Sequence, residues 1–240
     1  MSERHYCNHA AIPGVIMHRI VSVLVLALST ATAFAADSDL ALKREKIDPP
    51  AAVAEAVKAV LGTEAMVLRD RKDNVVLRLW LRAEIPARAS AEQVKNGLTY
   101  HEIPATTVIG LIDFPNTFID FRKQEIPAGV YTLRFAIQPE TADHLGVTPH
   151  REFLLLTPSA VDRTMELTEP KTLIERSSRV TGGDHPAVMM LFPGNAKGTE
   201  AELADKGNGV KVLRFTSKLT APGGEATLGF AITVSGHVKE

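Results

Sequence analysis

Hydrophobic and polar positions alternate with period two along much of this chain, most clearly in Val130–Gln138. There Tyr131, Leu133, Phe135 and Ile137 point to one side and Thr132, Arg134, Ala136 and Gln138 to the other, as in a strand with one face on a core and one open. Ile126-Pro127-Ala128-Gly129 precedes it, with Pro and Gly placed for a type I turn, and Pro139 closes it. Asn74–Arg82 alternates in the same way, Val75, Leu77, Leu79 and Leu81 against Val76, Arg78, Trp80 and Arg82. It pairs with Glu64–Asp70 as a hairpin across Arg71-Lys72-Asp73. Thr106–Phe114 is almost continuously apolar, which predicts a strand covered on both faces. Phe118–Lys123, Arg151–Thr157 and Ala187–Phe192 are further strands, and Val210–Ser217 and Glu225–Ser235 form a last hairpin through Ala221-Pro222-Gly223-Gly224.

Helical periods are few. Pro49-Pro50 open an Ala-rich stretch to Gly62, with Val53, Val57, Val60 and Leu61 on one face, predicting a short helix laid on a sheet. Ala87–Gly97 is a loop or one helical turn, Ser159–Asp162 a turn, and Pro170–Ser178 a short surface helix. Ala36–Asp48 reads as polar and loosely extended, and Pro193–Gly209 as a charged, Gly-bearing loop. Strands spaced by turns with so few helices between them predict a mainly β fold. The expected architecture is an antiparallel β-sandwich of about eight or nine strands with a short N-terminal helix.

Composition narrows the partners. A chain that is 45% apolar and 23% charged is globular. A net charge of −1 leaves no electrostatic footprint for nucleic acid, and no Lys/Arg run addresses an anionic membrane surface. Aromatics at 5% argue against a platform that stacks sugar rings. At the N-terminus, His18-Arg19 precede the apolar run Ile20–Leu28, and Ala33-Phe34-Ala35 supplies small residues before a cut ahead of Ala36. That pattern predicts a secretory signal peptide over residues 1–35, with Met17 the expected start. The run Ile20–Ala36 falls short of the ~20 residues of a spanning helix, so no membrane insertion is expected after cleavage. Residues 36–240 are then expected to form a single sandwich domain in the periplasm or outside the cell. The lone Cys7 lies in the discarded segment, so the exported chain has no disulfide, and its length suffices to bury a core without one.

The familiar catalytic and nucleotide-binding motifs are absent. Two loops repeat a small pattern: Asp143-His144 before Leu-Gly, and Asp184-His185 before Pro-Ala. Imidazole and carboxylate suit a borderline divalent ion, and His150 is placed to add a third nitrogen. Asp120 and Arg122, beside the central strand, are suited to orient an anionic ligand. The alternative is turn chemistry: Asx turns, caps and hydrogen bonds to backbone, with Arg122 pairing to Glu125 or Glu152. Trp80 is either covered by the N-terminal helix or an exposed contact surface. Met189-Met190 reads as core filling.

The run Asp120-Phe-Arg-Lys-Gln-Glu-Ile-Pro-Ala-Gly-Val-Tyr-Thr-Leu-Arg, with Asp143-His144-Leu-Gly, Phe153-Leu-Leu-Leu and His185-Pro-Ala-Val, resembles a group of uncharacterised secreted bacterial proteins. The resemblance covers most of the chain after the signal. It departs at Asp143, where the group carries Asn, a residue with the same turn chemistry. It implies secretion and a β fold and transfers no catalytic residue. The expected role is non-enzymatic: binding or structural support in the cell envelope, with no cofactor. One alternative is a metal-assisted hydrolase with His144, His150 and His185 as ligands and Asp143 or Asp184 as ligand or base. Another is an accessory subunit of an envelope assembly, docking a protein partner through the face around Trp80 and Arg82.

Overall fold

The strongly alternating stretches all become strands, and they sort into two facing sheets. The computed structural model describes residues 40–138, 150–183, 185–193 and 200–236; residues 1–35, where a signal peptide is expected, lie outside them. In chain order the elements are β1 (Ala41–Glu45), α1 (Glu55–Lys58), β2 (Leu61–Arg69), β3 (Val75–Arg82), β4 (Glu84–Pro86) and α2 (Ala91–Asn96). Next come β5 (Val108–Phe114), β6 (Phe118–Ile119), β7 (Glu125–Ile126), β8 (Gly129–Ile137) and β9 (Glu152–Pro158). Then follow α3 (Pro170–Thr181), β10 (Val188–Met190), β11 (Glu202–Asp205), β12 (Lys211–Ala221) and β13 (Gly224–Ser235). A seven-stranded sheet runs β1-β2-β3-β5-β8-β9-β10, antiparallel throughout, and the second sheet runs β11-β12-β13 with β4 parallel to β12.

The inner faces meet as the alternation requires. Leu77, Leu79, Leu133 and Phe135 from the first sheet join Leu213, Phe215, Phe230 and Ile232 from the second in one cluster, each no more than 1% exposed. Phe215 and Phe230 stack with ring centroids 5.3 Å apart. One margin is stitched shut: Leu191 bridges to Ile232, and the Phe192 N–H donates to the Ala231 carbonyl at 2.9 Å. At the other margin, β1 adds an edge strand where the sequence suggests only a loose polar segment. Its Lys43, Arg44 and Glu45 are the charges that protect an exposed edge from further pairing.

The outer face of the larger sheet differs from the one-sided expectation for Val130–Gln138. Thr132 and Arg134 are 0% exposed and Ala136 is 8%, because a second layer covers them. Under α1, Val53 and Val57 pack on Ala65, Val67, Trp80 and Leu111. Trp80 donates its indole N–H to the Ile47 carbonyl at 2.7 Å and is 1% exposed, so it is covered and is not a contact surface. The helix itself is shorter than its Ala-rich sequence suggests, since the Val60 carbonyl is taken by the Ala83 N–H and the chain passes into β2. Helix α3 is longer than expected and is not a bare surface helix. Pro170 starts it, Gly182 ends it at φ 66°, and it buries Leu173, Ser177 and Val180.

Between the two helices the cover is a loop, and an ion pair holds it. Arg134 Nε and Nη2 donate to the two Asp162 carboxylate oxygens at 2.7 and 2.8 Å. Its remaining N–H groups reach the carbonyls of Thr106, Glu166 and Thr164 at 2.6, 2.9 and 2.6 Å. All five guanidinium donors are thereby engaged, and the Thr132 hydroxyl also donates to Asp162. Thr106 sits at φ 69°, a strained conformation for a β-branched residue that persists only where its surroundings hold it. Its carbonyl accepts from Arg134, and its hydroxyl accepts the Thr168 N–H at 2.9 Å.

Candidate functional site

The ribbon β6–β7 is closed by a turn built on Asp120, one of the carboxylates marked by sequence. Asp120 Oδ1 accepts the N–H groups of Arg122 and Gln124 at 2.8 and 2.9 Å, and Oδ2 accepts Gln124 Nε2 at 2.9 Å. This is the Asx chemistry that Asp brings to turns. Burial raises the Asp120 pKa, against the hydrogen bonds from Gln124 and Arg122 and the charge of Arg122. Gln124 Nε2 also donates to the Pro186 carbonyl at 3.2 Å, which ties the turn to the loop carrying His185. From the other side, the α3 hydroxyls of Ser177 and Thr181 lie 2.8 and 2.7 Å from the carbonyls of Ala187 and His185.

Arg122 and His185 therefore belong to one corner of the molecule, where Phe121 inserts among Leu173, Val188 and Met190. The His185 side chain is exposed and Arg122 is half-buried. Arg122 Nη1 is buried without a hydrogen-bond partner among the described residues. Arg122 lies beside the Asp120 charge rather than in an ion pair with Glu125 or Glu152. Asp184 lies outside the described residues.

His150 belongs to a different place. It precedes β9, and its ring lies 5.1 Å from that of Phe192, over which Lys206 Nζ also sits at 5.1 Å. Burial holds its imidazole below the usual histidine range; Lys206 adds to that and Glu152 opposes it. Glu152 Oε1 in turn is 3.8 Å from His101 Nε2. The Tyr100 hydroxyl closes the cluster by donating to the Phe192 carbonyl at 3.1 Å. Sequence pointed to His150 but not to these neighbours, which come from four separate segments.

The two corners are far apart. In the β9–β10 ladder Leu155 faces Val188 and Phe153 faces Met190, so His185 lies beyond one end and His150 beyond the other. From Glu152 to Leu155 alone is roughly 10 Å of strand. His150 and His185 are not brought together, and Asp143 and His144 lie outside the described residues. Among the described residues, no group of three or more His, Cys, Asp or Glu side chains is arranged to hold a metal ion. An open cleft of about 430 Å³ lies between residues 47–49 and the start of β2, with Asp48 and Lys58 on its walls; Lys58 is paired to Glu55 at 2.9 Å. No family model, curated protein or solved structure matches this chain.

The Arg134–Asp162 pair was missed by sequence reasoning. A signal for it exists: Arg134 is the lone charge in Val130–Gln138, flanked on its own face by the small residues Thr132 and Ala136. Small neighbours leave room for a covering segment, and a charge in such a place needs a partner.

Proposed function

We propose that the protein is an exported, non-enzymatic binding or structural component of the bacterial cell envelope, of the kind its resemblance to secreted proteins suggests. The observation that carries this reading is the use to which its buried carboxylates are put. Asp162 anchors the covering loop through Arg134, and Asp120 closes a turn on itself. Each has both oxygens engaged by internal donors that fix a loop or turn, as a scaffold requires. Export rests on the Ala33-Phe34-Ala35 site behind its apolar run.

Two measurements test it. N-terminal sequencing of protein from the envelope fraction should begin at Ala36; recovery of an intact chain containing Cys7 overturns export. Thermal melts with zinc, manganese, copper or calcium should be flat. A bound divalent ion at one hundred times Kd adds ~2.7 kcal/mol, which at roughly 2–4 °C per kcal/mol is a rise of roughly 5–11 °C. Such a rise, abolished by His185→Ala but not by His237→Ala, overturns the non-enzymatic reading in favour of the metal-assisted one.

A further inference from the structure

The arginines on the larger sheet are not treated alike. Arg69 meets Glu45 at 3.1 Å, Arg78 meets Asp113 at 2.6 Å, and Arg134 meets Asp162 at 2.7 Å. The side chain of Arg82, the last residue of β3, has neither an ion pair nor a hydrogen bond among the described residues, and its Nε is buried with no partner there. It lies on the outer face with Trp80, opposite Leu61 of β2. On the other side, the register Leu81 to Gly110 and Val108 to Arg134 sets Arg82 and Arg134 on either flank of β5.

Two guanidinium ions thus share this stretch of sheet, and the Asp162 carboxylate there is engaged by Arg134 and the Thr132 hydroxyl. The buried Arg82 Nε carries a desolvation cost that no acceptor among the described residues offsets. Burial and then repulsion from Arg134 hold its pKa below the usual guanidinium value, which marks the same want of a negative neighbour. The residue is half-buried and not closed off from solvent, so a small ligand can reach it. A guanidinium fork matches the paired oxygens of a carboxylate or a phosphate, which it binds with two parallel hydrogen bonds.

We propose that Arg82 is an anion-binding anchor, taking a carboxylate or phosphate group at the outer face of β3 and β5. The site is independent of export and of any metal. The charge it lacks internally is supplied by the ligand, either a free oxyanion or the acidic side chain of a bound peptide.

The test is thermal melting of the mature protein in sodium phosphate and in sodium chloride at matched ionic strength, with sodium acetate as a carboxylate arm. At ten times Kd, phosphate should raise the wild-type Tm above the chloride control by roughly 3–6 °C. Arg82→Gln should lose that increment, while in chloride it should melt no lower than wild type, because removing an unpaired charge relieves its desolvation. Arg78→Gln, which breaks a paired arginine on the same strand, should keep the phosphate increment. A rise with acetate as well as phosphate points to carboxylate ligands, peptide side chains included, and a rise with phosphate alone points to phosphorylated ones. Equal increments in wild type and Arg82→Gln, or no increment with either anion, overturn the proposal. So does a lower chloride Tm for Arg82→Gln, which means that the charge is already neutralised within the chain.

Discussion

The two faces of the seven-stranded sheet are both buried, but they are built on different principles. The inner face is apolar against apolar: Leu133 and Phe135 meet Phe215 and Phe230, and each contact adds a little. The middle of the outer face is held by Arg134 and Asp162, surrounded by carbonyls of the loop they anchor. An apolar face loses stability in proportion to what is removed. A saturated ionic one fails abruptly, because removing one partner leaves the other buried and uncompensated.

The largest effect should therefore come from half of the ion pair. Asp162→Ala is expected to cost ~3–5 kcal/mol by leaving Arg134 unpaired. The double change Arg134→Met with Asp162→Leu should recover much of that loss, since apolar residues of similar size often replace buried pairs with little penalty. Urea denaturation of the three proteins measures it; a double variant no more stable than Asp162→Ala would show that the carbonyl contacts, not the charge, hold the loop. On the inner face Leu133→Ala should cost ~2–5 kcal/mol from lost burial and a cavity. Thr132→Ala, its neighbour on the outer face, should cost ~1–3 kcal/mol, because the Asp162 oxygen it serves is left short of a donor. A value near zero at Thr132 would show that Arg134 alone satisfies the Asp162 oxygens.

That contrast also explains what could be read in advance. The inner face is written in period two, so Tyr131, Leu133 and Phe135, or Leu77 and Leu79, announce their side unaided. The outer face is legible only where its cover is itself periodic, as with Val57 of the first helix and Val53 just before it. The loop over Arg134 has no period, its apolar contribution is little more than Met165, and its attachment is made by backbone carbonyls that carry no sequence signal. The candidate site divides in the same way. Asp120 was legible as a turn-former, whereas the separation of His150 from His185 follows from the β9–β10 register, which no local pattern contains. Likewise Arg82 looks like any strand arginine until the acceptors around it are counted.

The smallest expected effect lies in the other anchoring carboxylate and sharpens the comparison within the outer layer. Asp120 is 1% exposed and, unlike Asp162, has no ion pair at hydrogen-bonding distance among the described residues. Burial is the largest influence on it and raises its pKa above the ordinary 3.8, with the turn's hydrogen bonds and Arg122 opposing. Between those two values the folded chain holds more protons than the unfolded one, so stability from this group falls as pH rises. Its contribution is fully present below the unfolded pKa and is lost as pH passes through the native one. Asp120→Asn keeps an oxygen for the Arg122 and Gln124 N–H groups and removes the titration. Its stability should lie within ~1 kcal/mol of wild type near neutral pH. Measured by urea midpoints from acid to neutral pH, the wild type's margin over the variant should shrink as pH rises through this window and then level off. A margin that grows with pH instead would mean that Arg122 and the turn donors outweigh burial, which would make Asp120 a stabilised charge like Asp162 and erase the distinction between the two anchors.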